Sequence, residues 1–204
     1  MHSAEQIEIQ TFDLSPLRSR VVPTHGDPMD LIDYVLAFLL SAVPPSHHAN
    51  VEPESVTIER YGSIAEDIAM VASDPNVEPL YSGRDGRAKT AIVLASVAVS
   101  ESMLRGDVDR CEVTGDGGKS VSLFQLQRAS KAVCSDRQEA ARVALERVRA
   151  SLMQCRKAPA SERLAAYVSG RCDRAVGESR RRLEKVTKWL RRYPVLDAPN
   201  TEMQ

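Results

Sequence analysis

The sequence predicts a mainly α-helical protein that carries one small β-hairpin excursion. Most of its apolar runs have helical spacing, and only residues 120–127 alternate in the manner of a short strand pair. Hydrophobic residues make up 43% of the chain but aromatic residues only 4%, which favours helices packed through small and aliphatic side chains. With 204 residues, the chain is long enough to bury such a core in one domain.

The chain is expected to divide into an arm, one folded domain and a tail. Residues 1–26 show no sustained period and contain two prolines, which predicts an irregular N-terminal arm. The folded domain is expected over residues 27–193, and residues 194–204 are expected to form a flexible tail. The first ten residues lack the basic and apolar regions of a secretion signal, so the route of export stays open.

Six runs of residues are predicted to be helical from their apolar spacing and from local start and stop signals. The run over residues 88–104 is apolar on nearly every side and is therefore predicted to be the central helix. The run over residues 31–43 is preceded by a helix start signal at Asp27-Pro28. It is shorter than the roughly 20 residues needed to cross a bilayer, so we expect a buried helix and no membrane span. Ser135 and Gln138 form a capping box that opens a later helix. The other four predicted helices cover residues 61–73, 135–153, 159–170 and 173–192.

The charge balance argues against nucleic acid as the main partner. The chain has 27 Lys and Arg against 28 Asp and Glu, a formal net charge of -1, whereas phosphate binding draws on a surplus of basic residues. The last predicted helix is an exception, because basic side chains surround its apolar positions. We interpret them as a solvated face and keep open the alternative of a helical interaction module whose last helix binds an acidic partner.

No metal site and no cofactor is predicted. The chain has four cysteines: Cys111, Cys134, Cys155 and Cys172. They lack the close spacing of a zinc site, so two disulfides and buried free thiols both stay open at this point. His47 and His48 are neighbours in a Pro-rich loop over residues 46–55 with no third ligand nearby, and we interpret them as a solvent-exposed pair.

A glycine-rich segment invites a nucleotide-binding interpretation. Gly118-Lys119-Ser120 matches the end of a phosphate-binding loop, but Val113 stands where the first glycine of that motif belongs. The preceding residues are also not a predicted strand. We therefore interpret the segment as a tight turn.

Glu101 is the most informative polar residue, because it stands at the end of the predicted central helix. Burial there would disfavour the charged carboxylate and raise its pKa toward the range that a general acid needs. By itself, however, a glutamate at a helix end is more often simply solvated.

Three segments in a fixed order change this interpretation. The chain carries Ser100-Glu101-Ser102, then Ser122-Leu123-Phe124-Gln125-Leu126, then Ala165-Ala166-Tyr167-Val168-Ser169-Gly170. In this order they resemble the lysozyme-like lytic transglycosylase family, in which Glu-Ser ends a buried helix, a Gly-Leu-Met-Gln-type segment forms a hairpin in the cleft, and an Ala-Tyr-Asn-x-Gly segment belongs to a later helix. The resemblance covers about residues 61–190 and implies a lysozyme-like helical domain.

The resemblance also implies a role for each matching residue. Glu101 corresponds to the catalytic acid, and the residues implied in substrate binding are Ser102, Ser122, Gln125 and Tyr167. The Tyr167 hydroxyl is expected to approach the catalytic carboxyl, with Tyr167 and Gln125 in the same groove as Glu101. The chain departs from the family at Ser122, where Gly is usual, and at Val168, where Asn is usual.

The implied activity is cleavage of the β-1,4 bonds between MurNAc and GlcNAc in peptidoglycan glycan strands, without a cofactor. A lytic transglycosylase can work with a single catalytic glutamate, whereas an inverting hydrolase needs a second carboxylate to activate water. Asp107, Asp109, Glu112 and Asp116 follow Glu101 in the chain and are candidates for that carboxylate. Asp107 and Asp109 are also typical turn-forming residues.

A catalytically inert protein with the same fold is the main alternative. It would be a structural or wall-binding component, for instance of a phage particle, and its N-terminal arm would dock on other virion or cell-envelope proteins. In either case the protein is expected to face the cell wall, in the periplasm, outside the cell or in a phage particle.

Overall fold

A computed structural model describes residues 30–130 and 132–194, so the expected arm and all but the first residue of the expected tail lie outside the described residues. The described part holds eight α-helices and one two-stranded antiparallel hairpin, which confirms the predicted mainly α fold with a small β excursion. The helices are α1 (Leu31–Ala42), α2 (Glu54–Ser73), α3 (Gly86–Ser102), α4 (Gly106–Asp109), α5 (Ala132–Ser135), α6 (Arg137–Gln154), α7 (Ala165–Ser169) and α8 (Val176–Arg192). The hairpin pairs β1 (Ser120–Val121) with β2 (Leu126–Gln127), and 3-10 turns lie at Pro45–His48 and Ala160–Glu162.

The central helix is α3, as the sequence predicts. Residues 90–99 are all buried, and α1, α2, α6 and α8 pack around them. Several of these buried residues are alanines, which leave room for the larger side chains of the surrounding helices. Met103 and Leu104 then adopt left-handed backbone conformations, with φ of 51° and 56°, which ends the helix and leaves Glu101 at the edge of the core.

The first apolar run forms the buried helix α1. Asp30 caps it by accepting a hydrogen bond from the Asp33 N–H at 2.9 Å, and the expected start at residue 27 lies outside the described residues. Tyr34, Phe38 and Leu39 of α1 are buried in the core. None of the described helices is both long enough and apolar enough to cross a membrane.

Several predicted helix starts are displaced. α3 begins at Gly86 and not at residue 88, and α8 begins at Val176 and not at residue 173. α2 begins at Glu54 and not at residue 61. The period of buried apolar residues in this helix starts only at Tyr61, since Thr57 is the one buried residue before it, and the two turns before Tyr61 therefore lack the signal on which the prediction depends. α6 is capped by Asp136, which accepts a hydrogen bond from the Glu139 N–H at 2.9 Å, whereas the predicted cap Ser135 belongs to the short helix α5. The capping box predicted there is therefore wrong by one residue.

The predicted helix over residues 159–170 is broken into the turn Ala160–Glu162 and the short helix α7. At the break, the Leu164 N–H donates to the Ser179 hydroxyl of α8 at 2.9 Å instead of continuing a helical ladder. Gly170 ends α7 with φ of 73°, the left-handed conformation expected of a glycine cap.

The interpretation of His48 as solvent-exposed is wrong. His48 is buried, and its Nε2 lies 3.1 Å from the Tyr61 hydroxyl and 3.0 Å from the Met103 carbonyl. Burial is the main cause that lowers the pKa of His48. His48 therefore connects the turn Pro45–His48 to Tyr61 of α2 and to Met103, the residue that follows α3.

The four cysteines form two disulfides, which excludes the free-thiol interpretation. Cys111 is bonded to Cys134 and Cys155 to Cys172, with Cα atoms 5.7 Å and 5.4 Å apart. The first bond closes the loop that contains the hairpin, and the second closes the loop that contains α7.

Removal of either disulfide is expected to lower the free energy of unfolding by about 3 kcal/mol, because sequence separations of 23 and 17 residues restrict the unfolded chain. Urea denaturation of Cys111→Ser with Cys134→Ser, and of Cys155→Ser with Cys172→Ser, measures this loss. Peptide mapping under non-reducing conditions verifies the pairing. Four thiols that titrate freely in the native, air-exposed protein would contradict both bonds.

Candidate active site

The end of α3 opens into a cavity of about 610 Å³, here called the α3 cavity, which separate parts of the chain surround. Glu101 comes from α3, Gln125 from residues 115–127, here called the hairpin segment, and Tyr167 from α7. α6 supplies a further side with Arg147 and Ser151. The structure therefore brings three of the residues implied by the family resemblance to one cavity.

The Glu101 carboxyl is largely buried, with 19% of its side chain exposed. This burial is the main influence on it and raises its pKa above the ordinary value. Arg182 acts in the opposite direction, because its Nη1 donates a hydrogen bond to Glu101 Oε1 at 2.7 Å. The negative charges of Glu178 and Asp116 add to the raising effect. Glu101 therefore holds its proton to higher pH than a solvated glutamate.

Within the hairpin segment, the Gln125 side chain lies very close to the backbone of Gly115. Gly115 forms a bridge with Ser120, and a Cβ at Gly115 would lie 2.1 Å from Gln125 Oε1. Because only glycine leaves this space free, the Gln125 side chain can lie against residue 115. Gln125 Nε2 also donates to the Ser122 carbonyl at 3.2 Å. The amide is thus held in place on one wall of the cavity.

The glycine-rich segment before β1 is a turn. Ser120 enters a strand and donates to Asp116 Oδ2 at 2.6 Å, whereas a phosphate-binding loop is followed by a helix N-terminus. Gln127 Nε2 donates to the same oxygen at 3.0 Å. These two hydrogen bonds lower the pKa of Asp116, so an ionised carboxylate lines the same cavity as Glu101.

Tyr167 joins two sides of the cavity. Its hydroxyl donates to the Phe124 carbonyl of the hairpin segment at 2.9 Å, and its backbone N–H donates to Ser151 Oγ of α6 at 2.9 Å. Burial is the main cause that raises the pKa of the Tyr167 phenol, and the charge of Glu101 adds to it. The hydroxyl proton is directed to the Phe124 carbonyl of the hairpin segment, and the negative charge of Glu101 also acts on the phenol.

Two residues expected to bind substrate do not line the α3 cavity. Ser102 is buried, and its hydroxyl donates to the Ala98 carbonyl at 2.8 Å and accepts from the Leu104 N–H at 3.1 Å, which closes the end of α3. Ser122 is buried as well. Its φ of 66° is in the left-handed region that favours glycine, the residue usual at this place in the family. Ser102 therefore has a structural role in the described fold, and Ser122 shapes the hairpin loop.

Of the four candidates for a second carboxylate, only Asp116 lines the α3 cavity. Glu112 is exposed and forms an ion pair with Arg110. Asp107 forms an ion pair with its near neighbour Arg105. Asp109 is buried and accepts two hydrogen bonds from Arg137, at 3.0 Å and 3.1 Å. Neither aspartate lines the α3 cavity, and Asp116 does. Only Asp116 of these four stays a candidate for action on the same substrate as Glu101.

Arg182 is a site residue that the sequence interpretation misses, as it misses Arg147 of α6. That interpretation places Arg182 with the solvated basic residues of the last helix, but its side chain is only 2% exposed. Helical spacing does put it on the buried face, because Ser179, Leu183 and Val186 are buried on the same helix. This spacing is the signal by which the sequence could have identified Arg182.

The α3 cavity combines groups that suit proton transfer. The pKa of Glu101 is raised and that of Asp116 is lowered, so their surroundings drive two carboxyls toward opposite protonation states. Within residues 30–130 and 132–194, no group of three His, Cys, Asp or Glu side chains is arranged to hold a metal ion. Comparison with known protein families, with curated proteins and with solved structures found no match to this chain.

Proposed function

We propose that this protein is a peptidoglycan-cleaving glycosidase that cuts β-1,4 bonds between MurNAc and GlcNAc, as a lytic transglycosylase with Glu101 as its single catalytic acid. The observation that carries the proposal is the position of Glu101. It ends the buried central helix, its pKa is raised by burial, and it shares the α3 cavity with Gln125 and Tyr167. The order of the three motifs in the chain supports the same family.

Each step of the proposed reaction uses one protonation state of Glu101. The protonated carboxyl gives its proton to the glycosidic oxygen as the C1–O bond breaks, and C1 becomes an oxocarbenium-like centre. The remaining carboxylate accepts the proton of the 6-hydroxyl of the same MurNAc as that oxygen attacks C1. The sugar closes to a 1,6-anhydro product, Glu101 is protonated again, and no water is consumed.

The cavity walls supply the other interactions that this reaction needs. An extended sugar chain requires hydrogen-bonding groups on both sides of the bond that is cut. Gln125 stands on the hairpin side, and Arg147 stands on the α6 side. The ionised Asp116 would stabilise positive charge that develops at C1.

One observation favours the alternative of a catalytically inert wall-binding or structural component. The ion pair with Arg182 stabilises the carboxylate form of Glu101, which cannot donate a proton. Both functions would be exercised facing the cell wall, outside the cytosol, where disulfides persist. Docking of residues 1–26 on other envelope or virion proteins is part of the alternative. Activity on peptidoglycan separates the two candidates.

Digestion of purified peptidoglycan is expected to release fragments with 1,6-anhydro ends, each lighter by one water than the corresponding hydrolysis product. Mass spectrometry of the soluble fragments distinguishes the two. Reducing ends would identify a hydrolase, with Asp116 as the base that activates water. A complete lack of released fragments would favour the inert component.

Glu101→Gln is expected to lower the rate of lysis by about 100-fold or more, because glutamine keeps the shape of the side chain but has no proton to deliver. Turbidity loss of cell-wall suspensions measures the rate, and circular dichroism verifies that the variant folds. Glu112→Gln is the matched control, since Glu112 is exposed and pairs with Arg110 on the surface. Near-normal lysis by Glu101→Gln would refute the catalytic role.

Tyr167→Phe is expected to reduce kcat more than it raises KM, because loss of the hydrogen bond to the Phe124 carbonyl loosens one cavity wall against the other. The free energy of unfolding should fall by about 1 kcal/mol. Tyr81→Phe is the control, since Tyr81 lines a different groove. A raised KM with unchanged kcat would instead assign Tyr167 to substrate binding.

A further inference from the structure

Arg182 is attached to the central helix at two points. Its backbone carbonyl accepts a hydrogen bond from Ser96 Oγ at 3.2 Å, and its Nη1 donates to Glu101 Oε1 at 2.7 Å. Its Nη2 donates to Glu178, one turn earlier on α8. The exposed fraction is 2% for the Arg182 side chain, 19% for Glu101 and 38% for Glu178. These three residues, here called the Arg182 triad, therefore place a buried guanidinium between two carboxyls.

Burial of this guanidinium is unfavourable for folding. An arginine loses its hydration when it is buried, and a well-packed apolar side chain at such a place is often equally stable or more so. In addition, Arg182 Nε is buried and has no hydrogen-bond partner among the described residues. A buried charge that adds little stability, next to the proposed catalytic acid, indicates a role in the chemistry of Glu101.

The charges of the triad allow Glu101 to be protonated in spite of its ion pair. When all three groups are ionised, two carboxylates oppose one guanidinium, and one negative charge is uncompensated. When Glu101 is protonated, Arg182 and Glu178 balance each other. Glu178 is the more exposed of the two acids, so a negative charge loses less hydration on Glu178 than on Glu101.

We propose that Arg182 is a positioning residue, and that its balance with Glu178 sets the pH range over which Glu101 keeps its proton. Arg182 holds Oε1 and thereby the orientation of the Glu101 side chain. Glu178 takes up enough of the guanidinium charge for Glu101 to act as a proton donor. The consequence for turnover rests on the proposed function, whereas the coupling of the three charges does not.

Other charged or titratable groups face Glu101 from the elements packed around it. The charge of Asp116, in the hairpin segment, raises the pKa of Glu101. The charge of Glu101 in turn raises the pKa of Tyr167 on α7. Arg147 of α6 lines the same cavity. Arg182 is the only ion-pair partner of Glu101 among the described residues, so its replacement should dominate any change in the titration of Glu101.

Carbon NMR titration of the Glu101 carboxyl in the full chain tests this proposal without an activity assay. The resonance is assigned by its loss in Glu101→Gln. Arg182→Met is expected to raise the midpoint by about one pH unit or more, because a direct opposite charge is removed. Glu178→Gln is expected to lower it by roughly half a unit, because Arg182 then acts on Glu101 alone. Arg180→Met is the matched control: its guanidinium pairs with Glu162, and the midpoint should not move.

Opposite shifts in Arg182→Met and Glu178→Gln would support the charge balance, since a purely structural role would not move the midpoint in two directions. No shift in either variant, or shifts in the same direction, would overturn the proposal. If Arg182→Met does not fold, Glu178→Gln decides alone, because this more exposed side chain can be replaced without opening the core. An unchanged or raised midpoint in Glu178→Gln would then overturn it.

Kinetics on peptidoglycan link the triad to the proposed function. The reaction starts from protonated Glu101, so kcat falls as the pH rises through the pKa of this carboxyl. That limb should move to higher pH in Arg182→Met and to lower pH in Glu178→Gln, with a roughly tenfold loss of maximal kcat in Arg182→Met from the freed side chain. Shifted NMR midpoints without lysis by the unmodified protein would keep the triad and refute the function. Lysis by the unmodified protein together with unshifted midpoints would support the proposed function and refute the charge balance of the triad.

Discussion

The burial of α3 on all its sides is the constraint on which the rest of the structure depends. A helix without a solvated face is stable only when other elements cover it, and α1, α2, α6 and α8 do so here. A polar side chain of α3 can reach the surface of the protein only near an end of the helix, because residues 90–99 are all buried. Glu101 lies in the last turn of α3, just before Met103 and Leu104 adopt left-handed backbone conformations. The desolvation of its carboxyl is therefore a direct consequence of the packing that stabilises the fold.

The walls of the α3 cavity depend on other interactions, because they are built from short elements. The strands of the hairpin have two residues each and α7 has five, too few to be stable alone. One disulfide closes the loop around the hairpin and the other closes the loop around α7. The hydrogen bond from Tyr167 to the Phe124 carbonyl then joins the two loops. The acid is thus positioned by the core, and the groups around it are positioned by covalent and polar contacts.

Most of the fold could be predicted because helical periods and turn residues act over a few neighbouring positions. The central helix, the hairpin and the shared cavity of Glu101, Gln125 and Tyr167 agree with what local patterns and motif order indicate. Helix ends were less predictable where a distant group competes for the backbone. The break before α7 is such a case, because the Ser179 hydroxyl on α8 takes the Leu164 N–H.

By itself, the sequence determined the helical class, the buried central helix and a candidate acid at its end, since each depends on side-chain type and near-neighbour spacing. Only the tertiary structure decided the pairing of the cysteines, the burial of His48 and the inward turn of Ser102. It also decided that Arg182, 81 residues from Glu101 in the chain, shares its environment. The physical reason is that desolvation and charge compensation are set by all the groups around an atom, and most of those groups come from distant parts of the chain.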